Sequence, residues 1–410
     1  MPDGKWGAEC GRSWPRGGRW DPGETRRVCP SRDTPPTDGA KMATKHSVLV
    51  LGGGKIGSAI ARFLHRAGDF QVTVGDQDPA ALARVRGALE GVGTATLDVA
   101  DEGALVKTMR AGGGTDTVIS ACSYAVNPGI ARACLEAGAS YFDLTEDVAT
   151  TRAVRDVSAR AKPGQIFMPQ CGLAPGFIQI VAHELAQQFE QVDEVHMRVG
   201  ALPIYPSNRL KYNLTWSTDG LINEYCNACE AIYEGKRTDV LALEGYEHFS
   251  LDGVDYEAFN TSGGLGTLCE TMEGKVRALD YKTVRYAGHR DLVHFLVDSL
   301  RLRDRRHILK DILESAIPIT MQDVVLTFTT VTGRRDGRLV QVTDARKIYN
   351  GMVDREHWSA IQITTAAGMC AAVDLHREGK LPGQGFVKQE QIPLGVFLGN
   401  RFGKWYVEAE

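Results

Sequence analysis

Three glycines spaced as Gly52-x-Gly54-x-x-Gly57 stand between an apolar run and an amphipathic one. That spacing suits phosphate binding. Gly52 permits a tight turn, Gly54 lets the backbone approach a pyrophosphate, and Gly57 lets a helix pack closely on a strand. A helix opening at Lys55 and Ile56 offers free N–H groups and partial positive charge to the phosphates. Asp76 closes the next apolar run, nineteen positions after Gly57. A carboxylate there accepts hydrogen bonds from ribose hydroxyls. It also repels a 2′-phosphate, because two like charges ~4 Å apart cost roughly 1–4 kcal/mol. The expected cofactor is therefore NAD rather than NADP, with Arg84 near enough in sequence to keep NADP in view.

Two polar clusters lie far downstream. Lys211, Tyr212, Thr215 and Trp216 form one; Lys282, Arg285, Tyr286 and His289 form the other. Arginine pairs with carboxylates in a bidentate fork. Histidine titrates where a proton acceptor is useful. Arg285 is the expected carboxylate partner and His289 an expected base, with a structural histidine as the alternative. Strand alternation puts Lys282, Val284 and Tyr286 on one face and Thr283, Arg285 and Ala287 on the other. Cys226-x-x-Cys229 lacks a second ligand pair at zinc spacing and falls in a helical pattern, so no metal is expected.

The elements that must carry these residues alternate. Strand-like runs end near Leu51, Asp76, Asp98, Ser123, Asp147 and within "QIFMPQCGLAPG", with helical stretches such as "PAALARVRGALE" between them. Repeated βα units imply an open parallel sheet wound on both faces, the Rossmann arrangement, with ligands beyond the carboxyl ends of the strands. The expected cofactor residues are thus Gly52, Gly54, Lys55, Ile56, Gly57, Asp76, Asp98, Ser120, Ala121 and Cys122. After Gly176 the pattern changes. "DEVHMRVGALPI" reads as a strand with one solvated face. "LKYNLTWSTDGLINEY" reads as a strand followed by a helix capped at Ser217 or Thr218. "MQDVVLTFTTVTGRRDGRLVQVTDAR" reads as a hairpin turning between Gly333 and Gly337. The fold class is α/β, a doubly wound parallel sheet joined to an α+β domain of mainly antiparallel sheet. The expected divisions are 1–41 (a disordered extension), 42–172 (nucleotide-binding), 173–352 (substrate) and 353–410 (a C-terminal helix and tail).

Composition narrows the class. The 410-residue chain is 43% hydrophobic with a formal charge of -4, which offers nucleic acid no basic stripe. It contains no apolar run of membrane-spanning length and no secretory h-region. Its nine cysteines are an odd, scattered set, which suits reduced thiols in a cytoplasmic protein. Residues 1–41 are rich in Gly, Pro and Arg and aperiodic. The expectation there is disorder, with translation starting at Met42 and a transit peptide as the alternative.

"VLGGGKIG", "YFDLTED", "CGLAPG", "LTWSTDGLINEY", "GTLCETMEGKVRALDYKTVRYAGH" and "GQGFVKQEQIPL" together resemble the saccharopine dehydrogenase family. This family includes glutamate-forming saccharopine dehydrogenases and lysine 6-dehydrogenases. The resemblance spans nearly everything after Met42. It implies a C-terminal segment that returns to the Rossmann domain, and NAD(P)-dependent oxidation at a carbon bearing nitrogen. Hydride leaves that carbon, water adds to the iminium and the carbon–nitrogen bond breaks. The amine must first be neutral, which calls for a base. Under this reading Tyr124 donates to a substrate carboxylate or amine. Asp143 or Glu146 is the base or amine partner, Arg285 and Lys211 supply cations, and His289 is a further base. Packing, for Tyr124, and helix capping, for the acids, are the alternatives. Cys171 is read as a small packing residue. The expected partner is a small amino acid, with saccharopine first, lysine second and opine- or polyamine-type substrates behind them. The expected assembly is a homodimer. A reading of a different class is an NAD-binding sensor without turnover.

Overall fold

The runs at the centre of the βα repeats are buried on both faces, as a parallel strand between two helix layers requires, while the edge run Gly93–Thr96 stays partly exposed. In the structure, a computed structural model that describes residues 45–407, these runs become six strands. They are β1 (His46–Leu51), β2 (Phe70–Asp76), β3 (Gly93–Thr96), β4 (Thr117–Ser120), β5 (Ser140–Asp143) and β6 (Ile166–Met168). The helices between them are α1 (Lys55–Ala67), α2 (Pro79–Ala88), α3 (Glu102–Arg110), α4 (Asn127–Ala137) and α5 (Val148–Ser158). The strands pair in parallel in the order β6-β5-β4-β1-β2-β3. The winding direction reverses between β1 and β4, and a crevice opens there beyond the strand ends. The expectations for residues 1–41 lie outside the described residues.

The second domain begins after α6 (Phe177–Ala186). It comprises β7 (Gln191–Pro203), α7 (Thr218–Cys226), β8 (Cys229–Tyr233), β9 (Lys236–Val240), β10 (Glu247–Leu251) and β11 (Val254–Asn260). It continues through α8 (Leu268–Met272), β12 (Ala278–Tyr286), α9 (His289–His294), α10 (Arg306–Ala316), β13 (Asp323–Arg335) and β14 (Arg338–Tyr349). Its sheet runs β10-β11-β12-β7-β13-β14, with β8 pairing to β12 and β9. Only β7 and β12 pair in parallel. A mainly antiparallel sheet thus sits beside a fully parallel one.

Four local expectations are corrected. β7 lies at the sheet centre, so Met197–Pro203 are buried throughout rather than on one face. Residues before α7 do not form a strand: Lys211 has φ +52° and Leu214 makes a single bridge to Ile319. Cys226 ends α7 and Cys229 starts β8, so the Cys-x-x-Cys pair straddles a helix–strand junction. The hairpin turns at Asp336-Gly337, both at positive φ, the sequence signature of a tight two-residue turn. Gly333 stays inside β13, where it marks a bulge against β7 and a Cβ would lie 2.4 Å from the Gln191 carbonyl.

The chain then passes through a short hairpin, β15 (Gly351–Val353) and β16 (Glu356–Trp358), into α11 (Ala360–Arg377). Ser359 caps α11, and the buried Asp323 carboxylate accepts from the Ala360 and Ile361 N–H groups. The carboxylate thereby ties the helix start to β13. Buried Ala366, Ala367, Ala371 and Ala372 keep α11 slim enough to pack against α1. Beyond it, β17 (Gly385–Phe386) joins β6 at the edge of the parallel sheet, followed by α12 (Leu394–Gly399). Arg401 locks this return by bridging Asp374 on α11 and Asp69 before β2. Among the described residues no helix is long and apolar enough to cross a membrane.

Candidate active site

The glycine loop fits a dinucleotide. A Cβ on Gly57 would stand 1.9 Å from the Gly52 carbonyl, so only glycine lets α1 start there. The Cβ position of Gly54 faces open space, which leaves room for a phosphate. No side chain caps α1 and its first turn carries no acid, so its N–H groups stay available to an anion. Asp76 Oδ2 accepts from Gly53 N at 2.7 Å and Oδ1 from Asp78 N at 2.8 Å. This fixes the loop on the carboxylate while each oxygen keeps acceptor capacity. Lys55 reaches across to the Thr215 carbonyl at 3.2 Å, and burial lowers its ammonium pKa. Ser120 sits beneath the β4 end, donating to Asn127 Oδ1 at 2.7 Å. Asp98 is exposed after β3 and accepts from Ala100 N.

A cavity of about 430 Å³ opens beside this loop, between the strand ends of the parallel sheet and the second sheet. Ile56, Ala121, Cys122 and Tyr124 form its nucleotide-side wall. Val199, Tyr281, Thr283 and Arg285 come from the second sheet, Trp216 and Glu224 from α7 and its approach, and Ile361 and Thr365 from α11. Glu146 and Asp219 complete its acidic lining.

Arg285 is the cation of this cavity and is 3% exposed. Its guanidinium lies 4.9 Å from the Tyr212 ring centroid and 5.8 Å from that of Tyr225. Nε donates to Tyr225 Oη at 3.0 Å and Nη1 to the Val284 carbonyl at 2.9 Å. Nη2 stands 3.9 Å from Glu224, too far for a direct hydrogen bond. Burial, partly offset by Arg285, pushes the Glu224 carboxyl up to about 8. Burial also raises Glu146.

Other expected residues fall elsewhere. Asp143 is fully buried and accepts from Tyr141, Asn127 and the Thr145 and Gln170 amides. Its lone pairs are taken up by the strand-end scaffold, which does not fit a base. His289 does not line the cavity. Its Nδ1–H donates to the Leu210 carbonyl at 2.8 Å and its Nε2 faces Tyr225 Oη at 3.0 Å. Burial lowers it to about 3, which also does not fit a base. It supports Tyr225, which in turn accepts from Arg285. Lys211 is exposed and donates to the Ala287 carbonyl. Lys282 points to the opposite face of β12 and pairs with Glu247. Cys171 is buried against the Met168 carbonyl and Gln389.

Glu224 escaped the sequence reading, although a signal existed. At helical spacing it shares a face with Leu221 and Tyr225, so an acid falls in an apolar stripe. Ile361 and Thr365 gave no such signal: α11 reads as a packing helix, and only the return of the chain brings it to the cavity.

Comparison with known proteins follows the same two-part division. Residues 48–168 match the model of the saccharopine dehydrogenase NADP binding domain, and residues 172–397 that of the saccharopine dehydrogenase C-terminal domain. The chain is 24% identical over 206 residues to the mitochondrial alpha-aminoadipic semialdehyde synthase of Mus musculus, covering 48% of this chain and 22% of that protein. It is 22% identical over 271 residues to the Schizosaccharomyces pombe saccharopine dehydrogenase [NADP(+), L-glutamate-forming], covering 62% of this chain and 57% of the relative. Less than two thirds of each curated relative is therefore spanned. The apo saccharopine dehydrogenase (L-Glu forming) of Saccharomyces cerevisiae superposes with a TM-score of 0.70 at 18% identity, over 86% of this chain and 96% of that one. That likeness is one of fold.

Proposed function

Because the chain belongs to the saccharopine dehydrogenase family, we propose that it oxidises the carbon–nitrogen bond of a lysine-derived amino acid, using NAD. The observation that carries this reading is a buried arginine in a cavity at the mouth of the dinucleotide cradle. When bound, the nicotinamide supplies the oxidant for a hydride leaving the carbon next to nitrogen. The chain's residues do the rest. Arg285 holds a substrate carboxylate in a site shielded from water, with its side chain braced by Tyr212 and Tyr225. Tyr124 orients the substrate from the nucleotide side. Asp76 holds the ribose hydroxyls and disfavours a 2′-phosphate, which supports NAD although the matching domain model is described as NADP binding.

The first expected substrate is saccharopine, yielding L-glutamate and 2-aminoadipate 6-semialdehyde, and the names of the L-glutamate-forming relatives support it. A specific observation favours the second, lysine. Saccharopine brings three carboxylates and lysine one. Among the described residues the cavity offers one cation, Arg285, and three acids, Glu146, Asp219 and Glu224, of which Asp219 already pairs with Lys310. Lys211, expected from sequence to supply a second cation, does not line it, and neither does Lys282. A single arginine for the substrate therefore favours a molecule with one carboxylate over one with three.

The test is nicotinamide reduction by the purified full chain, given NAD or NADP with lysine or saccharopine. We expect NAD reduction with lysine and release of ammonia, at least about tenfold faster than with NADP by the charge argument at Asp76. Glutamate released from saccharopine alone would return the assignment to the first substrate. No reduction with either, or with other amino acids bearing a second amine, would refute the reading.

A further inference from the structure

We propose that Glu224 is the proton acceptor for the substrate ammonium, the group that makes the amine neutral before oxidation. This inference rests on the reaction proposed above and adds a residue to it.

The geometry argues for Glu224 over the other acids. It lies on α7, is 8% exposed, and lines the cavity that holds Arg285. Among the described residues its carboxylate has Arg285 as an ion-pair partner only at 3.9 Å. No donor of the described residues stands within hydrogen-bond distance of it, so the carboxyl faces the cavity open to a ligand that brings one. Asp143, by contrast, accepts four hydrogen bonds from the protein. Asp219 is exposed and carries an ion pair to Lys310. Glu146 is less enclosed than Glu224. A substrate whose carboxylate sits on Arg285 brings an ammonium into the same acid-lined space.

The chemistry balances as a proton transfer. An N–H bond of the ammonium breaks, an O–H bond forms on Glu224, and nitrogen keeps the electron pair. The groups facing Glu224 set its readiness. Arg285 on β12 lowers its pKa and Glu146, between β5 and α5, raises it, with burial the largest influence. Tyr281 on β12, Tyr212 before α7, Tyr225 on α7 and Cys229 on β8 also feel its charge. The result is a carboxyl titrating near 8, where an acceptor and its conjugate acid are both populated around neutrality.

Glu224→Gln keeps size and hydrogen-bonding capacity. We expect its kcat/KM for amine-dependent NAD reduction to fall by about 10²- to 10⁴-fold. The wild-type rise with an inflection near pH 8 should vanish. The variant's activity should instead climb steadily with pH as neutral amine becomes available. A merely structural role would lower activity without this recovery at high pH. Infrared titration of the full chain without substrate gives a second readout. A carboxylic acid C=O band should disappear with a midpoint near 8 and be missing in the variant. Wild-type-like kinetics in the variant, or an infrared band unchanged by the substitution, would overturn the inference. Wild-type protein that reduces no NAD, yet shows this band, would refute the proposed reaction and leave the proton site standing.

Discussion

The two faces of β12 solve the same problem in opposite ways. On one face, Asp280 and Lys282 meet His196 and Arg198 of β7 across the sheet. Arg198 grips Glu247 with Nε at 2.8 Å and Nη2 at 2.7 Å, donates to Asp280 through Nη1, and Lys282 pairs with the same Glu247. His196 completes the set by bonding Asp280 at 3.0 Å and Glu194 at 3.2 Å. Every charge has an opposite charge in contact, and the Asp280 carboxyl is held well below its usual range by His196 and Arg198 despite burial. On the other face, Arg285 is equally buried, but its nearest carboxylate stands 3.9 Å away and has its pKa raised. Paired charges stabilise the sheet. Unpaired ones raise the energy of the empty site, and a ligand of the right charge lowers it.

The comparison breaks most sharply at Arg285. Arg285→Met should cost about 10²-fold or more in kcat/KM, chiefly through KM for the amino acid, because charge-assisted hydrogen bonds to a carboxylate contribute about 1.5–3 kcal/mol each. Nucleotide affinity should stay unchanged. Steady-state kinetics with a separate NAD binding titration checks both halves, and an unchanged KM would place the carboxylate elsewhere.

Arg198→Met should do the reverse. It leaves Asp280 and the Glu247–Lys282 pair without their shared cation. We expect a loss of about 1–3 kcal/mol in stability, less than for a fully buried pair because both carboxylates keep some contact with water. Urea unfolding measures it. KM for the amino acid should not move, and a shifted KM would mean that the two faces are coupled.

A further effect concerns pH. Glu224 keeps its proton in the folded state up to about 8, whereas an unfolded glutamate loses it near 4.3. Between those values the folded state binds the extra proton, so stability falls as pH rises. Asp280 has the opposite sign: its contribution is full above the unfolded carboxylate range and is lost as pH falls below it. Glu224→Gln should therefore unfold at higher urea than wild type, with the gap growing from about pH 4.5 towards pH 8 and levelling beyond. A gap that does not change with pH would show that Glu224 is ionised in the folded state throughout that range.

The sequence by itself determined the periodic parts of this molecule. Strand, glycine loop, helix and Asp76 are local in the chain, and their spacing is dictated by backbone sterics and phosphate chemistry, so the nucleotide cradle is legible without a fold. Alternation along β12 was legible for the same reason: it separated Lys282 from Arg285 before any neighbour was known. The tertiary structure decided which of the polar residues share a space. Lys211 and His289 look as promising in sequence as Arg285, yet Lys211 lies at the surface and His289 spends both ring nitrogens on Leu210 and Tyr225. Asp143 ends a strand as Asp76 does, but four donors surround it. Glu224, Ile361 and Thr365 share a cavity with Arg285 only because α7 and the returning α11 both border it. Whether a side chain is free to act depends on burial and on the partners that use its lone pairs, and those partners come from segments far apart in the chain.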